Sequence, residues 1–158
     1  MAIINHLGEM LLDTLINPSI VIPPEVTEIH GISDAMVADA PTFPEVYPRI
    51  DAAVKNKRVL IYNSAFDLQI LNYCCRLHSL PILKLAKRSD CLMQWVVQWA
   101  GNSRYYHKDY QYVPLHGRHR ALADCTAAFE LIKLMAADSD QINCPVPIPE
   151  NKRKSQSQ

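Results

Sequence analysis

Residues 58–67 read RVLIYNSAFD, and they constrain the fold more than any other stretch. Residues 58–62 form a short apolar run with β-branched and aromatic character, the composition of a buried strand. Asn63 and Ser64 end it. AFDLQILNYCCRLH (65–78) then places Phe66, Ile70, Tyr73, Cys74 and Leu77 at helical spacing. A buried strand that turns into a helix within two residues is half of a βαβ unit, so the chain is expected to fold as an α/β domain around a mixed central sheet.

The flanking segments fit that frame. AIINHLGEMLLDTLINP (2–18) reads as two strands around a turn at Gly8. SIVIPPEVTEIHGIS (19–33) is expected to be extended or irregular, with the Pro23-Pro24 pair excluding a helix, and Ser33-Asp34 to cap a short turn. Thr42 or Pro44 opens a helix with Val46, Ile50 and Val54 on one face, and Pro48 sits near its first turn. DCLMQWVVQWA (90–100) predicts another helix, ended by Gly101. Residues 102–118 are polar and aromatic, the composition of a long surface loop, and a last helix covers about 120–137. One domain is expected over residues 1–140, followed by a flexible tail, 141–158, whose KRK suits weak phosphate contact.

Composition narrows the function. With 16 basic and 16 acidic residues the net charge is zero, so polyanion binding needs a local basic patch. Five cysteines, an odd number without a C-x-x-C pair, argue against a disulfide framework or a thiolate zinc site and for reduced thiols in the cytoplasm. No apolar run reaches the roughly 18 residues needed to span a bilayer, and no membrane partner is expected.

The chemistry is expected at three residues. Asp124 falls on the apolar side of the last helix, with Ala128, Leu131 and Met135. Desolvating a carboxylate costs several kcal/mol unless a cation or donors replace water. A hydrogen-bonded acid at the edge of the stripe is the plainer reading. Asp67 stands where a strand passes into a helix, the place where ligands gather in α/β sheets. It equally suits a first-turn acid favoured by the helix dipole. His119 precedes Asp124 by five positions and is flanked by Arg118 and Arg120, which disfavour its protonation and leave it able to act as a base. Otherwise it is an exposed loop histidine. Two hard carboxylates suit magnesium or manganese, and a pair of such ions about 3.5–4 Å apart can hold the attacking and leaving oxygens of a phosphodiester. The loop interleaves Arg104, Lys108, Arg118 and Arg120 with Tyr105, Tyr106, Tyr110 and Tyr112, which suits phosphates and unpaired bases or an ordinary solvated surface.

These residues also carry a family resemblance. NSAFD (63–67) resembles the second motif of the DnaQ-like, or DEDDh, 3′–5′ exonucleases, and HRALAD (119–124) resembles their third, H-x4-D. IHGISDAMVADAPTF (29–43) and GEMLLDTLINP (8–18) are similar to further family segments in the same order, so the likeness spans residues 3–137. It implies a ribonuclease H-like fold, a mixed central sheet flanked by helices, and hydrolysis of terminal phosphodiesters of single-stranded DNA or RNA from the 3′ end. It implies two Mg2+ or Mn2+ ions with Asp67 and Asp124 as ligands and His119 as general base. Asn63 and Phe66 would shape the strand end, His30, Gly31 and Ile32 would lie by the terminal nucleotide, and Arg118 and Arg120 would meet nucleic acid. The chain departs from the pattern at the family's first motif, D-x-E on a first strand: none precedes the hairpin, and Glu9 and Asp13 do not fit that role. The first strand is therefore expected to be missing, leaving a slot in the sheet and impaired activity. The alternative is a catalytically inactive module that grips nucleic acid or a protein. A second chain or a polymerase is a partner the resemblance leaves open, without a segment in the sequence that marks one.

Overall fold

A computed structural model describes residues 1–85, 88–99, 115 and 120–139. Strand β1 (Ala2–Ile4) pairs antiparallel with β2 (Met10–Asp13), in register Ala2↔Asp13 and Ile3↔Leu12 with a shift after Ile3. The connecting turn is built by Asn5, whose Oδ1 accepts from the backbone N–H groups of Leu7 (2.9 Å) and Glu9 (3.0 Å). Gly8 adopts φ +82° there, and a Cβ at Gly8 would lie 2.8 Å from the Phe129 ring. The turn thus needs glycine twice over, for its backbone and for the aromatic ring seated on it.

Helix α1 (Pro24–His30) corrects the sequence expectation of an extended segment. Pro23 is its N-cap, with φ −59° and ψ 139°, and Pro24 takes the first helical position, where a missing N–H is no loss. The proline pair starts the helix it was expected to exclude. Gly31 closes α1 at φ 68°, its N–H donating to the Thr27 carbonyl at 2.7 Å. The short α2 (Asp34–Val37) follows Ser33 as expected. Helix α3 (Phe43–Val54) opens at Thr42, whose N–H and hydroxyl both donate to the Glu45 carboxylate at 2.7 Å. Phe43, Val46, Ile50 and Val54 form its buried face, while Pro48 is exposed one turn further in than expected.

Strand β3 (Val59–Ile61) pairs parallel with β4 (Ser89–Cys91), Val59↔Ser89 to Ile61↔Cys91. Helix α4 (Ser64–Leu77) follows β3, and α5 (Leu92–Trp99) follows β4. The expected helix from residue 90 is therefore a strand for its first two residues, because Ser89–Cys91 finds a partner distant in sequence. Helix α6 (Ala121–Ser139) packs on β1, α3 on β2, and α4 on β3 and β4.

The architecture is α/β with antiparallel and parallel pairing both present. Among the described residues the sheet stands as two separate two-stranded pieces, β1–β2 and β3–β4. One core joins them: Leu12, Phe43, Val46, Ile50, Val54, Cys75, Leu83 and Leu85 are buried, with Ile3 of one piece and Val59 of the other packed against the cluster. Strands of three and four residues cannot stand alone, so the two hairpin-sized sheets depend on these helices for stability. Among the described residues, Cys74, Cys75, Cys91 and Cys125 form no disulfide. No helix of the described residues is long and apolar enough to cross a membrane.

Candidate active site

The parallel pair sets the first half of the site. At its carboxyl end the Tyr62 carbonyl accepts from the Met93 N–H (3.0 Å) and the Cys91 thiol (3.3 Å), which fixes the exit of β3 beside the start of α5. Asn63 then caps α4, its carbonyl accepting from the N–H groups of Phe66 (3.1 Å) and Asp67 (3.2 Å). This places Asp67 in the first turn of α4, partly buried, at the strand end where it was expected.

The antiparallel pair sets the other half through α6. Asp124 lies in the first turn of that helix, its N–H donating to the Arg120 carbonyl at 2.9 Å. The next residue, Cys125, donates its thiol to the Ala2 carbonyl of β1 at 3.5 Å, fastening the helix start to the strand. Asp124, Ala128, Leu131 and Met135 share one partly buried face, as their spacing predicts.

Electrostatics bring the two acids into one site. Burial pushes the Asp67 carboxyl above the usual aspartate range, its own backbone N–H offsets part of this, and the charge of Asp124 pushes it further up. Burial likewise raises the Cys125 thiol, with the charges of Asp124, Asp13 and Asp67 adding to the effect. Two first-turn acids carried by different sheets therefore repel each other across a partly dehydrated gap.

An open cleft of about 780 Å³ lies on the outer side of the α6 start. Arg120, Leu122, Ala123, Thr126 and Ala127 form one wall; Asp13, Thr14, Leu15 and Ile32 form the other. Two expected nucleic-acid residues, Ile32 and Arg120, thus meet. Ile32 is held by the rest of its motif: its N–H donates to His30 Nδ1 at 3.0 Å and its carbonyl accepts from the Thr27 hydroxyl at 3.0 Å. Gly31 has nothing within 4 Å of a virtual Cβ, so its role there is the left-handed turn. Asp13, Thr14 and Leu15 were not foreseen as cleft residues, since only the tertiary fold brings the end of β2 to α6. The Phe66 side chain is 60% exposed beside the strand end. His119, Arg118 and the rest of the basic loop, 100–114, lie outside the described residues.

The donor set can be weighed against a metal. Two carboxylates are hard oxygen donors in mutual repulsion, which suits a divalent cation of the magnesium type; such ions take one or two carboxylates and fill the remaining positions with water and substrate phosphate. Among the described residues no group of three or more His, Cys, Asp or Glu is gathered for a metal.

Comparison with known proteins identifies the family. The family model described as "Exonuclease" (RNase T) matches residues 2–132. An uncharacterized exonuclease, CP81, of Escherichia phage 186 is 30% identical over 150 residues, covering 85% of this chain and 77% of that protein. The DNA polymerase III epsilon subunit of Treponema pallidum is 28% identical over 128 residues, 78% of this chain and 60% of the subunit. Among solved structures, exonuclease X in complex with 5′-overhanging duplex DNA superposes with a TM-score of 0.49 at 23% identity, over 84% of this chain and 78% of that one. With the family model spanning both carboxylates and most of the fold, the chain belongs to the RNase T exonuclease family, the DnaQ-like exonucleases.

Proposed function

We propose that the chain is a metal-dependent 3′–5′ exonuclease that hydrolyses the terminal phosphodiester of single-stranded DNA or RNA. The observation that carries this reading is the placement of Asp67 and Asp124 in the first turns of α4 and α6, where burial raises the Asp67 carboxyl and the charge of Asp124 adds to it. A site that stores such repulsion is relieved by a cation. In this reading Asp67 and Asp124 would hold Mg2+ or Mn2+, which would supply Lewis acidity at the scissile phosphate. Arg120 meets the phosphate charge, and Ile32 and Leu122 meet the apolar side of the terminal nucleotide. His119 takes a proton from the attacking water. The new P–O bond forms to that water, the bond to the 3′ oxygen of the shortened strand breaks, and a nucleoside 5′-monophosphate leaves.

Nucleotide release from a 3′-labelled oligonucleotide with Mg2+ or Mn2+ tests this. Release is expected to be metal-dependent and slow, since only two acid ligands are gathered among the described residues. Release unchanged by Asp124→Ala would discard the site. The same short ligand set favours a second reading, a module that grips nucleic acid without cutting it; tight oligonucleotide binding with no release at any metal concentration would select it.

A further inference from the structure

At the opposite end of the parallel pair, two turns lie side by side. One is 55–58, between α3 and β3; the other, before β4, includes Lys84, Leu85 and Arg88, with the Arg88 N–H donating to the Leu85 carbonyl at 2.7 Å. The Val59 N–H donates to the Arg88 carbonyl at 2.8 Å, and Arg88 Nη1 donates to Asn56 Oδ1 at 3.1 Å, so the turns are stitched together. They present Lys55, Lys57, Arg58, Lys84 and Arg88, all exposed. Among the described residues only Arg58 of these five forms an ion pair, with Asp90. Arg88 is held by a neutral amide, which fixes it without cancelling its charge. The nearest other acid in sequence, Asp51, lies one helical turn before Lys55. In a chain of zero net charge this is a concentrated local excess.

We propose that these two turns form a second phosphate-gripping surface that holds a nucleic-acid strand away from its reacting end, an assignment of ligand that rests on the exonuclease reading. Three features favour a phosphodiester backbone over a protein or membrane partner. Leu83 and Leu85, which flank Lys84, are buried, so the exposed side chains described on these turns are cationic or amide. Lysine is depleted in protein interfaces and enriched on phosphate-binding surfaces. The scaffold is also pre-organised by the strand register Val59↔Ser89, so little ordering is needed on binding. Reach fits too: from Arg58 to Asn63 the chain extends at about 3.3 Å per residue, roughly 17 Å in all. At about 3.4 Å per stacked nucleotide that is roughly five nucleotides upstream of the end.

The test uses the triple variant Lys55→Ala/Lys57→Ala/Lys84→Ala, which leaves the Arg58–Asp90 and Arg88–Asn56 contacts in place. Fluorescence anisotropy in EDTA measures binding of a labelled trinucleotide and a 20-mer between 50 and 200 mM salt. For the 20-mer the salt slope is expected to fall by about 2, near 0.7 per lost phosphate contact, with roughly tenfold weaker binding at low salt. Trinucleotide binding is expected to be unchanged, and the triple Lys→Arg variant to keep the native slope. An unaltered 20-mer slope overturns the proposal, as does equal weakening for both lengths, or a lost slope in the Lys→Arg variant. Loss of poly-glutamate binding with 20-mer binding intact would assign the surface to an acidic protein and also overturn it. The native chain separates the two readings: if it releases no nucleotides with Mg2+ or Mn2+ yet shows the 20-mer slope that the triple variant loses, it fails as a nuclease while this surface stands.

Discussion

The two ends of the β3–β4 pair are built from the same strands and carry opposite chemistry. At the carboxyl ends a partly buried acid on α4 faces the charge of a second acid on α6, and burial magnifies the repulsion. At the amino ends exposed cations sit on turns fixed by backbone and amide hydrogen bonds, where water screens them. On the two proposed readings, dehydration rather than charge count separates the ends: divalent ion is expected to matter at the first and bulk salt at the second.

The sharpest way to break that contrast is removal of an acid. Asp124→Ala is expected to lower nucleotide release by about 10²–10³-fold while leaving 20-mer binding within about twofold, because the lost group acts on the reacting phosphate. A larger effect on binding than on turnover would reverse the assignment of the ends. Next in size is Gly8→Val, which forces a β-branched residue to φ +82° and into the Phe129 ring. It is expected to cost about 2–3 kcal/mol and to lower Tm by several degrees, measured by circular dichroism. Since Phe129 belongs to α6, the acid end is expected to lose more function than the basic end loses affinity.

A smaller effect has the opposite sign. The Asp67 carboxyl is raised in the folded chain, so over the range from its ordinary value near 3.9 upward the folded state binds more protons than the unfolded one. That unfavourable contribution is absent below pH 4 and present in full once the pH exceeds the folded value. In EDTA, Asp67→Asn is expected to raise Tm at pH 7 by about 1–3 °C, to leave it unchanged at pH 3.5, and to abolish the stabilisation that Mg2+ gives the native chain. A Tm lowered at pH 7 would show that the acid is paired rather than opposed. Smallest is Arg58→Ala at the basic end: the ion pair has a side chain 72% exposed and is screened by water, so Tm is expected to stay within about 2 °C.

How much the sequence disclosed depended on how local each signal was. The face Val46, Ile50 and Val54 and the cap at Thr42 are written within a dozen residues, and α3 follows them. Asp124 stood out as a charge on the apolar stripe of its own helix and Asp67 as an acid just past a strand end, and both lie in the first turns of their helices. The Pro23-Pro24 pair misled because a helix breaker and a helix starter differ only by position. Strand β4 gave no pattern, since three residues, Ser89–Cys91, are too few to alternate and their partner is some thirty positions away. On α4 the large side chains were deceptive. Phe66, Ile70, Tyr73 and Leu77 have the right spacing for a core stripe, yet all are at least 47% exposed, while Leu68, Leu71, Cys74 and Cys75 face inward. A helix apolar on two sides does not announce which side is buried.

The split sheet gives the acid pair a mechanical meaning. Asp67 rides on a helix packed on one strand pair and Asp124 on a helix packed on the other, so the two acids sit on either side of a seam in the sheet. An ion held by both acids, as proposed above, would act as a keystone: it would tie two short ribbons into one unit, whose amides would then open to solvent together rather than separately.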